Sequence, residues 1–184
     1  MQQVDEILAL FETRGDSEYG GERVTQIEHA LQAAALAEQE SASPELITAA
    51  LLHDVGHLLH DLPDDAPDDG IDDRHESSAN NYLKAIFPED VTEPIRLHVA
   101  AKRYLCSVDA EYQAALSAPS VVSLELQGGP MSEEEVRAFH ENPFAEDAVR
   151  LRRWDDAAKV PDLLTPTLSH FGSYLRQTFK ESGV

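Results

Sequence analysis

One five-residue segment carries the strongest chemical signal in the sequence: His53-Asp54-Val55-Gly56-His57. It follows a strongly apolar run, so we expect it to lie on a buried helix on which His53 and His57 share a face. Imidazole and carboxylate groups are costly to bury unless they are paired or bound to a metal ion. Because a carboxylate has two oxygens, Asp54 can bridge two cations. The segment therefore predicts a metal centre, with hydrogen-bonded core histidines as the simpler alternative.

Three more histidines and a late aspartate can join this segment. Each histidine belongs to a different predicted helix, and taken singly each is more often a hydrogen-bonded core residue or a surface residue than a ligand. Helical bundles build metal sites from inward-facing side chains of several helices, so the whole set can converge in one core. The candidates are His29, His75, His98 and either Asp155 or Asp156.

Helical periodicity dominates the elements that must position these side chains. Apolar residues recur at the three- and four-residue spacing of a helix face, and strand patterns are hard to find. With neither an internal repeat nor a composition break, the sequence predicts a single all-α domain, a helical bundle over residues 1–184. We expect an acidic loop at 61–73, a helix opened by Thr92-Glu93-Pro94, and further helices near 4–11, 24–36, 44–57, 76–87, 107–127, 131–140, 143–158 and 166–180.

Composition narrows the partners and the compartment. The 14 basic and 35 acidic residues give a net charge of −21, which repels a nucleic-acid backbone and an anionic bilayer. No apolar run approaches the ~18 residues of a membrane-spanning helix, and the first residues lack signal-peptide features. Cys106 is the single cysteine, which excludes an internal disulfide and a thiolate-rich zinc site. We expect a cytoplasmic protein that binds a small molecule, with neither nucleic acid nor membrane as a partner.

The ordered series of histidines and aspartates resembles the ligand pattern of the HD-domain superfamily in its dinuclear form. The resemblance spans residues 19–159, most of the chain. The family's Arg-x-x-Asp pattern, here Arg152 to Asp155, favours Asp155 over Asp156 as the last ligand. The resemblance implies one metal bound by His29, His53, Asp54 and Asp155, and a second bound by Asp54 as the bridge, His75 and His98.

A second motif resembles one branch of this superfamily, the PhnZ-like mixed-valent diiron oxygenases. Tyr19-Gly20-Gly21-Glu22 stands seven residues ahead of His29. In that branch the tyrosine occupies an iron site until substrate arrives, and the glutamate then meets the substrate amine. The resemblance therefore implies Tyr19 as a displaceable iron ligand and Glu22 as a catalytic and substrate-binding residue. An ordinary helix lead-in, with Glu22 in the first turn, is the alternative.

Local positive charge suits an anionic substrate. Lys102 follows His98 by four residues and Arg152 precedes Asp155 by three, so each shares a helix face with a candidate ligand. A guanidinium fork and an ammonium point charge both suit an oxyanion. The alternative interpretation is that the basic residues of 150–159 form a solvent-exposed helix face with no role in binding. The resemblance implies a phosphonate bound by His57, Lys102, Arg152, Ser120 and Ser123, with His57 and Lys102 also catalytic.

The same resemblance implies a reaction. Two iron ions, as Fe2+ and Fe3+, would use O2 to cleave the carbon–phosphorus bond of 2-amino-1-hydroxyethylphosphonate to glycine and phosphate, or that of its N-trimethyl analogue. A trimethylated nitrogen would prefer aromatic faces, for which Tyr104, Tyr112 and Trp154 are candidates. The alternatives are a dinuclear HD phosphohydrolase acting on a nucleotide or phosphate monoester, and a metal-free interaction module. Imidazole and carboxylate ligands also accept manganese or zinc, so the sequence does not fix the metal.

Overall fold

The computed structural model describes residues 2–59 and 75–180. Within these residues the protein is helical and forms no strand, which confirms the all-α prediction. The acidic loop predicted at 61–73 lies outside the described residues. The described helices are α1 (Gln2–Arg14), α2 (Gln26–Gln39), α3 (Pro44–Leu52), α4 (Val55–Leu58), α5 (His75–Leu83), α6 (Glu89–Val108), α7 (Ala110–Ala115), α8 (Ala118–Leu126), α9 (Glu133–His140), α10 (Ala145–Ala157) and α11 (Leu168–Thr178).

Helix α3 lies in the middle of the bundle because it is apolar on nearly all sides. Every residue from 46 to 52 is buried, and the helix packs against α2, α6, α10 and α11. Burying each large aliphatic side chain contributes about 1.5–3 kcal/mol, so this segment stabilises the bundle strongly. Its C-terminal end lies inside the protein. His53 and Asp54 follow this end directly and are therefore buried as well.

The His53–His57 segment contains a turn, at His53 and Asp54, between two helices. Helix α3 ends at Leu52 and α4 begins at Val55, so the prediction of one helix through the motif is wrong. Asp54 has φ −104° and ψ 11°, a sparsely populated region in which turn residues and functional residues occur. In a helix, neighbouring side chains point about 100° apart around the axis. Because the chain turns here, the directions of the His53 and Asp54 side chains are not bound to that angle.

Proline positions account for two further differences from the predicted helices. Helix α6 starts at Glu89, where the Pro88 carbonyl accepts the first turn's hydrogen bonds, and Pro94 lies inside the helix. The predicted start at Thr92-Glu93-Pro94 is therefore too late. The predicted helix over 107–127 covers the end of α6 and two separate helices, α7 and α8, because Ser117 caps a new helix that has a proline in its first turn.

Helix α6 is the longest described helix, with 20 residues. It carries charged residues along its length, so its sequence is that of an amphipathic surface helix with one buried face. Across the described parts of the chain, no helix is both long enough and apolar enough to span a bilayer.

A capping box starts α2 one turn before His29. The Thr25 hydroxyl accepts a hydrogen bond from the Glu28 backbone, and the Glu28 carboxylate accepts one from the Thr25 backbone at 2.8 Å. Reciprocal bonds of this kind satisfy two backbone donors that the first turn would otherwise leave unpaired. Threonine at this position contributes about 1 kcal/mol. The capping box therefore fixes where α2 begins and, with it, the position of His29 along the helix axis.

Candidate metal centre

The six side chains predicted as HD-type metal ligands meet inside the bundle. Helices α2, α5, α6 and α10 and the turn between α3 and α4 contribute to the meeting point. The side chains form two groups, and within each group one ligand atom per residue lies within 4.8 Å of all the others. Asp54 belongs to both. The first group is His29, His53, Asp54 and Asp155, and the second group is Asp54, His75 and His98.

The first group surrounds Asp54 Oδ2. Nε2 of His29 and Nε2 of His53 are 3.1 Å apart, and they lie 3.6 and 3.3 Å from Asp54 Oδ2. Asp155 Oδ1 lies 3.5 Å from His29 Nε2 and 3.9 Å from His53 Nε2. Atoms bonded to one ion at ~2.0–2.1 Å in a tetrahedral arrangement are about 3.3 Å apart. The four ligand atoms are therefore spaced as they would be around one metal ion.

The second group faces the other oxygen of the same carboxylate. Nε2 of His75 and Nε2 of His98 are 3.1 Å apart. They lie 3.4 and 3.5 Å from Asp54 Oδ1. Each oxygen of Asp54 therefore faces a different pair of histidines, which is the arrangement that a bridging carboxylate requires.

Backbone carbonyls fix the tautomer of three of the four histidines. A carbonyl can only accept, so the Nδ1 that it contacts carries the proton, and Nε2 of the neutral ring keeps its lone pair. Metal-bound histidines usually have this orientation, with the second nitrogen held by a carbonyl or carboxylate. The bonds join Nδ1 of His29 to Ala158 at 2.9 Å, of His53 to Ala50 at 2.9 Å, and of His98 to Ile95 at 2.7 Å.

This donor set fits two cations. Lone pairs on His29 Nε2 and His53 Nε2 at 3.1 Å repel each other unless a proton or a metal ion lies between them. Asp54 Oδ1 is buried and receives no hydrogen bond from any described residue, and an unpaired buried acceptor of this kind costs about 1–3 kcal/mol. One ion in each group would remove both penalties. Imidazole and carboxylate donors together suit iron, manganese or zinc.

The charges of the two groups match what metal ligands need. Burial alone would raise the pKa of Asp54, but the charge of His53 and the hydrogen bonds from His29 and His53 together outweigh burial and hold that pKa well below its usual range. Burial likewise opposes ionisation of Asp155, and Arg152 reverses the effect and lowers its pKa. Burial lowers the pKa of His98 to about 3. Ionised carboxylates and a neutral imidazole are the protonation states that bind metal.

The neighbouring carboxylates Asp155 and Asp156 have different partners. Arg152 Nη1 contacts Asp155 Oδ2 at 2.7 Å, while Asp155 Oδ1 faces the first group. Asp156 Oδ2 accepts from Arg152 Nε at 3.0 Å and from the Tyr112 hydroxyl at 2.5 Å. The structure therefore brings Asp155, and not Asp156, to the histidines. Arg152 uses three of its five N–H groups to hold the two aspartates, which leaves two for another ligand.

A tight turn carries Tyr19 to the first group. Gly20 and Gly21 have φ values of 47° and 77°, and a type I′ turn requires positive φ at both of its central residues. The Glu22 N–H closes the turn by donating to the Tyr19 carbonyl at 2.7 Å. The glycine pair is therefore explained by the backbone of the turn.

The Tyr19 side chain contacts three members of the first group. Its ring stacks on His29 with centroids 3.8 Å apart, and its hydroxyl donates to Asp54 Oδ2 at 2.8 Å. The hydroxyl also lies 3.4 Å from Asp155 Oδ1. Burial, and next the charge of Asp155, raise the pKa of Tyr19 well above its usual value, so the metal-free protein holds a neutral phenol here.

Lys102 is a buried cation beside the metal centre. Its side chain is 2% exposed, and Nζ donates to Ser123 Oγ at 2.7 Å. No carboxylate of the described residues forms an ion pair with it. Burial, followed by the charge of Arg152, lowers its pKa to about 7. A buried ammonium that lacks a counter-charge is suited to bind an anion.

His57 contacts a ligand of the second group and Tyr19, whereas Ser120 contacts Lys159. The His57 ring stacks on His75 with centroids 4.2 Å apart and meets the Tyr19 ring edge-on at 6.4 Å. The Ser120 hydroxyl lies 3.3 Å from Lys159 Nζ. Sequence reasoning assigned Lys159 no role, although its spacing of four from Asp155 could have indicated a shared face.

The Lys102 pKa predicts how anion binding depends on pH. Binding needs the charged ammonium, and burial has lowered its pKa, so affinity is greatest below pH ~7 and falls above it by up to about tenfold per pH unit. Sulfate is a suitable probe, since its own charge does not change between about pH 6 and 9. The affinity for sulfate should fall as pH rises in the wild type. It should stay constant in Lys102→Arg, because arginine keeps its charge. An equal slope in both proteins would assign the titration to another group.

Comparison with known proteins adds to this geometry. The sequence matches the HD domain over residues 27–135. It is 47% identical over 182 residues to the hydroxymethylphosphonate dioxygenase of Gimesia maris, covering 98% of this chain and 90% of that protein. It is 44% identical over 174 residues to the glycine-betaine-forming [1-hydroxy-2-(trimethylamino)ethyl]phosphonate dioxygenase of Leisingera caerulea, covering 95% and 89%.

Proposed function

The chain belongs to the HD-domain family, in the branch that contains these phosphonate dioxygenases, and we propose that it is a diiron oxygenase that uses O2 to cleave the carbon–phosphorus bond of a 1-hydroxyalkylphosphonate. The observation that carries the proposal is Asp54, which faces one histidine pair with each oxygen. Lys102, a buried lysine that forms no direct ion pair with a described carboxylate, lies near Asp155 and suits an anionic substrate. The names of the relatives and the tyrosine loop favour an oxygenase over a phosphohydrolase.

The proposed metal ligands divide between the two ions as the two groups do. Asp54 would hold both ions at a fixed spacing, and the carbonyl-bound histidines would keep their ligand nitrogens directed inward. When bound, the iron pair would activate O2 and act as a Lewis acid toward oxygen atoms of the substrate. The ligands would be His29, His53, Asp54 and Asp155 for one iron, and Asp54, His75 and His98 for the other.

Lys102 would be the main contact of the phosphonate. Its ammonium supplies a point charge in a dry environment, where an ion pair is stronger than in water. Ser123 fixes the position of Nζ, and the two remaining N–H groups of Arg152 are available to a second phosphonate oxygen. Because the Lys102 pKa is about 7, Nζ can bind the dianion as a cation and release a proton as phosphate leaves. His57 and Ser120 complete the proposed set.

Tyr19 would act as a displaceable iron ligand. Its hydroxyl already lies 2.8 Å from the bridging carboxylate, within the first group. Tyr19→Phe should keep both metals, because six other ligands remain, but should remove the phenolate–iron(III) charge-transfer absorption of the substrate-free enzyme. Absorption spectra of the two proteins at equal iron content make the comparison. An unchanged spectrum would remove Tyr19 from the coordination sphere.

Oxygen dependence separates the oxygenase from the phosphohydrolase. The iron-loaded protein is incubated with a set of 1-hydroxyalkylphosphonates and, separately, with phosphate monoesters and nucleotides, in air and without oxygen. The oxygenase should release phosphate from a hydroxyphosphonate in air alone, with one O2 consumed per phosphate. Release that persists without oxygen, or that occurs from esters alone, would contradict the proposal and favour the hydrolase.

A further inference from the structure

The carboxylate expected to bind a substrate amine already has an internal partner. Glu22 Oε1 lies 3.2 Å from Lys159 Nζ and accepts a hydrogen bond from the Ser117 hydroxyl at 2.7 Å. Both charged side chains are largely buried, with 17% of Glu22 and 13% of Lys159 exposed. Ion pairs that are partly shielded from water are stronger than exposed ones. Lys159 therefore occupies the position that an ammonium group of a substrate would need.

Two further contacts hold Lys159 in this position. Nζ lies 3.3 Å from the Ser120 hydroxyl and 5.7 Å from the centroid of the Tyr19 ring. A cation over an aromatic face is attracted by the negative charge of that face. Ser120 Oγ also lies 3.0 Å from Ser117 Oγ. The ammonium of Lys159 is thus part of a network that joins the tyrosine loop, α8 and the segment after α10.

A cationic substrate would disrupt this network. Its ammonium would either displace Lys159 from Glu22, leaving a partly buried cation unpaired, or place two cations against one carboxylate. Breaking a desolvated ion pair by removing one partner is strongly unfavourable. Lys102 is close enough to Lys159 for their charges to repel, and it adds further positive charge to this region. A substrate with an uncharged substituent would neither displace Lys159 from Glu22 nor place a second cation against that carboxylate.

The aromatic side chains that could surround a trimethylated nitrogen are engaged elsewhere. Each of the three candidates has another aromatic or cationic side chain against its ring. Tyr104 stacks on Phe139 at 4.9 Å, Tyr112 has Arg153 at 5.9 Å from its ring centroid, and Trp154 has Arg150 at 5.1 Å.

We infer that Lys159 serves as a built-in cation for Glu22 and that the substrate is a 1-hydroxyalkylphosphonate with no positive charge, of which hydroxymethylphosphonate is the smallest. This inference rests on the proposed function and departs from the aminated substrates that the sequence resemblance implied. The reaction balances as hydroxymethylphosphonate plus O2 to formate plus phosphate. One C–P and one C–H bond break, one C–O and one P–O bond form, and the four electrons lost by the substrate reduce O2.

The test compares three substrates on four proteins. Steady-state kcat/KM is measured with hydroxymethylphosphonate, 2-amino-1-hydroxyethylphosphonate and its N-trimethyl analogue, using iron-loaded wild type, Lys159→Met, Lys159→Arg and Lys84→Met. The wild type should favour hydroxymethylphosphonate by at least about tenfold. Lys159→Met frees Glu22 and should move this ratio toward the amino compound by about tenfold or more. Lys159→Arg keeps the charge, and Lys84→Met removes an exposed lysine past α5, so both should keep the wild-type order.

Two results would overturn the inference. One is a wild type that cleaves either cationic substrate faster than hydroxymethylphosphonate, and the other is a Lys159→Met variant that slows all three substrates equally. In both cases the oxygenase proposal would stand. If none of the three compounds released phosphate in an oxygen-dependent reaction, the proposed function would fail and this inference with it.

Discussion

Asp54→Asn should lose both metal ions and at least about a thousandfold of kcat/KM, which corresponds to roughly 4 kcal/mol of activation barrier. An amide has one neutral oxygen acceptor and one NH2 donor, so it cannot bridge two cations. The two oxygens of Asp54 face different histidine pairs, at 3.3–3.6 Å on each side. The substitution therefore affects both groups at once, unlike a change to any single histidine.

Folding and metal binding can be separated in this variant. The amide NH2 can donate to the Nε2 lone pairs that the carboxylate faces, so the metal-free variant should fold and keep the helical circular dichroism of the wild type. Asp156→Asn is the matched control, because Asp156 contacts Arg152 and Tyr112 and lies outside both groups. It should retain two metals per chain. Full metal occupancy in Asp54→Asn would contradict the bridging role.

Gly56→Ala should have the second-largest effect, on the second group alone. A Cβ added at Gly56 would lie 2.1 Å from the His75 carbonyl oxygen and 2.7 Å from its carbon. These are backbone atoms that no side-chain rotation can move, so α4 and α5 must separate by about an ångström at a cost of about 1–3 kcal/mol. His75 moves with α5, away from Asp54 Oδ1. We expect one metal to be lost, activity to fall at least about a hundredfold, and Tm to drop by roughly 2–10 °C.

Gly172→Ala provides the matched control for this substitution. Gly172 is also helical, in α11, but the nearest atoms to its added Cβ are the ends of the Arg176 and Leu8 side chains, at 3.1 and 3.2 Å. These side chains can rotate away, so two metals and wild-type activity should be retained. Metal analysis, activity and thermal unfolding are measured for both variants. A Gly56→Ala protein with two metals and full activity would show that the close approach of α4 to His75 is unimportant.

The set of six ligands could be anticipated from the resemblance to the HD family, and helix periodicity and burial support it at particular positions. His29 follows a capping box by one turn, and His98 lies on the apolar face of α6. His53 and Asp54 follow an apolar run, and the burial of that run determines their position in the protein. Periodicity and burial determine these placements, and both can be estimated from local sequence.

The remaining features depend on contacts between distant segments. The apolar run predicted an unbroken helix through Asp54, whereas the chain turns there. Gly56 is small because the His75 backbone lies against it, a contact across 19 residues that no local pattern shows. Lys159 and Glu22 pair across the bundle, so sequence reasoning could treat one as a surface residue and the other as a substrate contact. Side-chain partners of this kind are set by tertiary packing.

The most direct test of the proposed dinuclear centre is a crystal structure of the iron-loaded protein with anomalous difference maps recorded on both sides of the iron absorption edge. We predict two iron peaks per chain, one on each side of the Asp54 carboxylate, next to His29 and His53 in one case and next to His75 and His98 in the other. A single peak, or peaks away from Asp54, would contradict it.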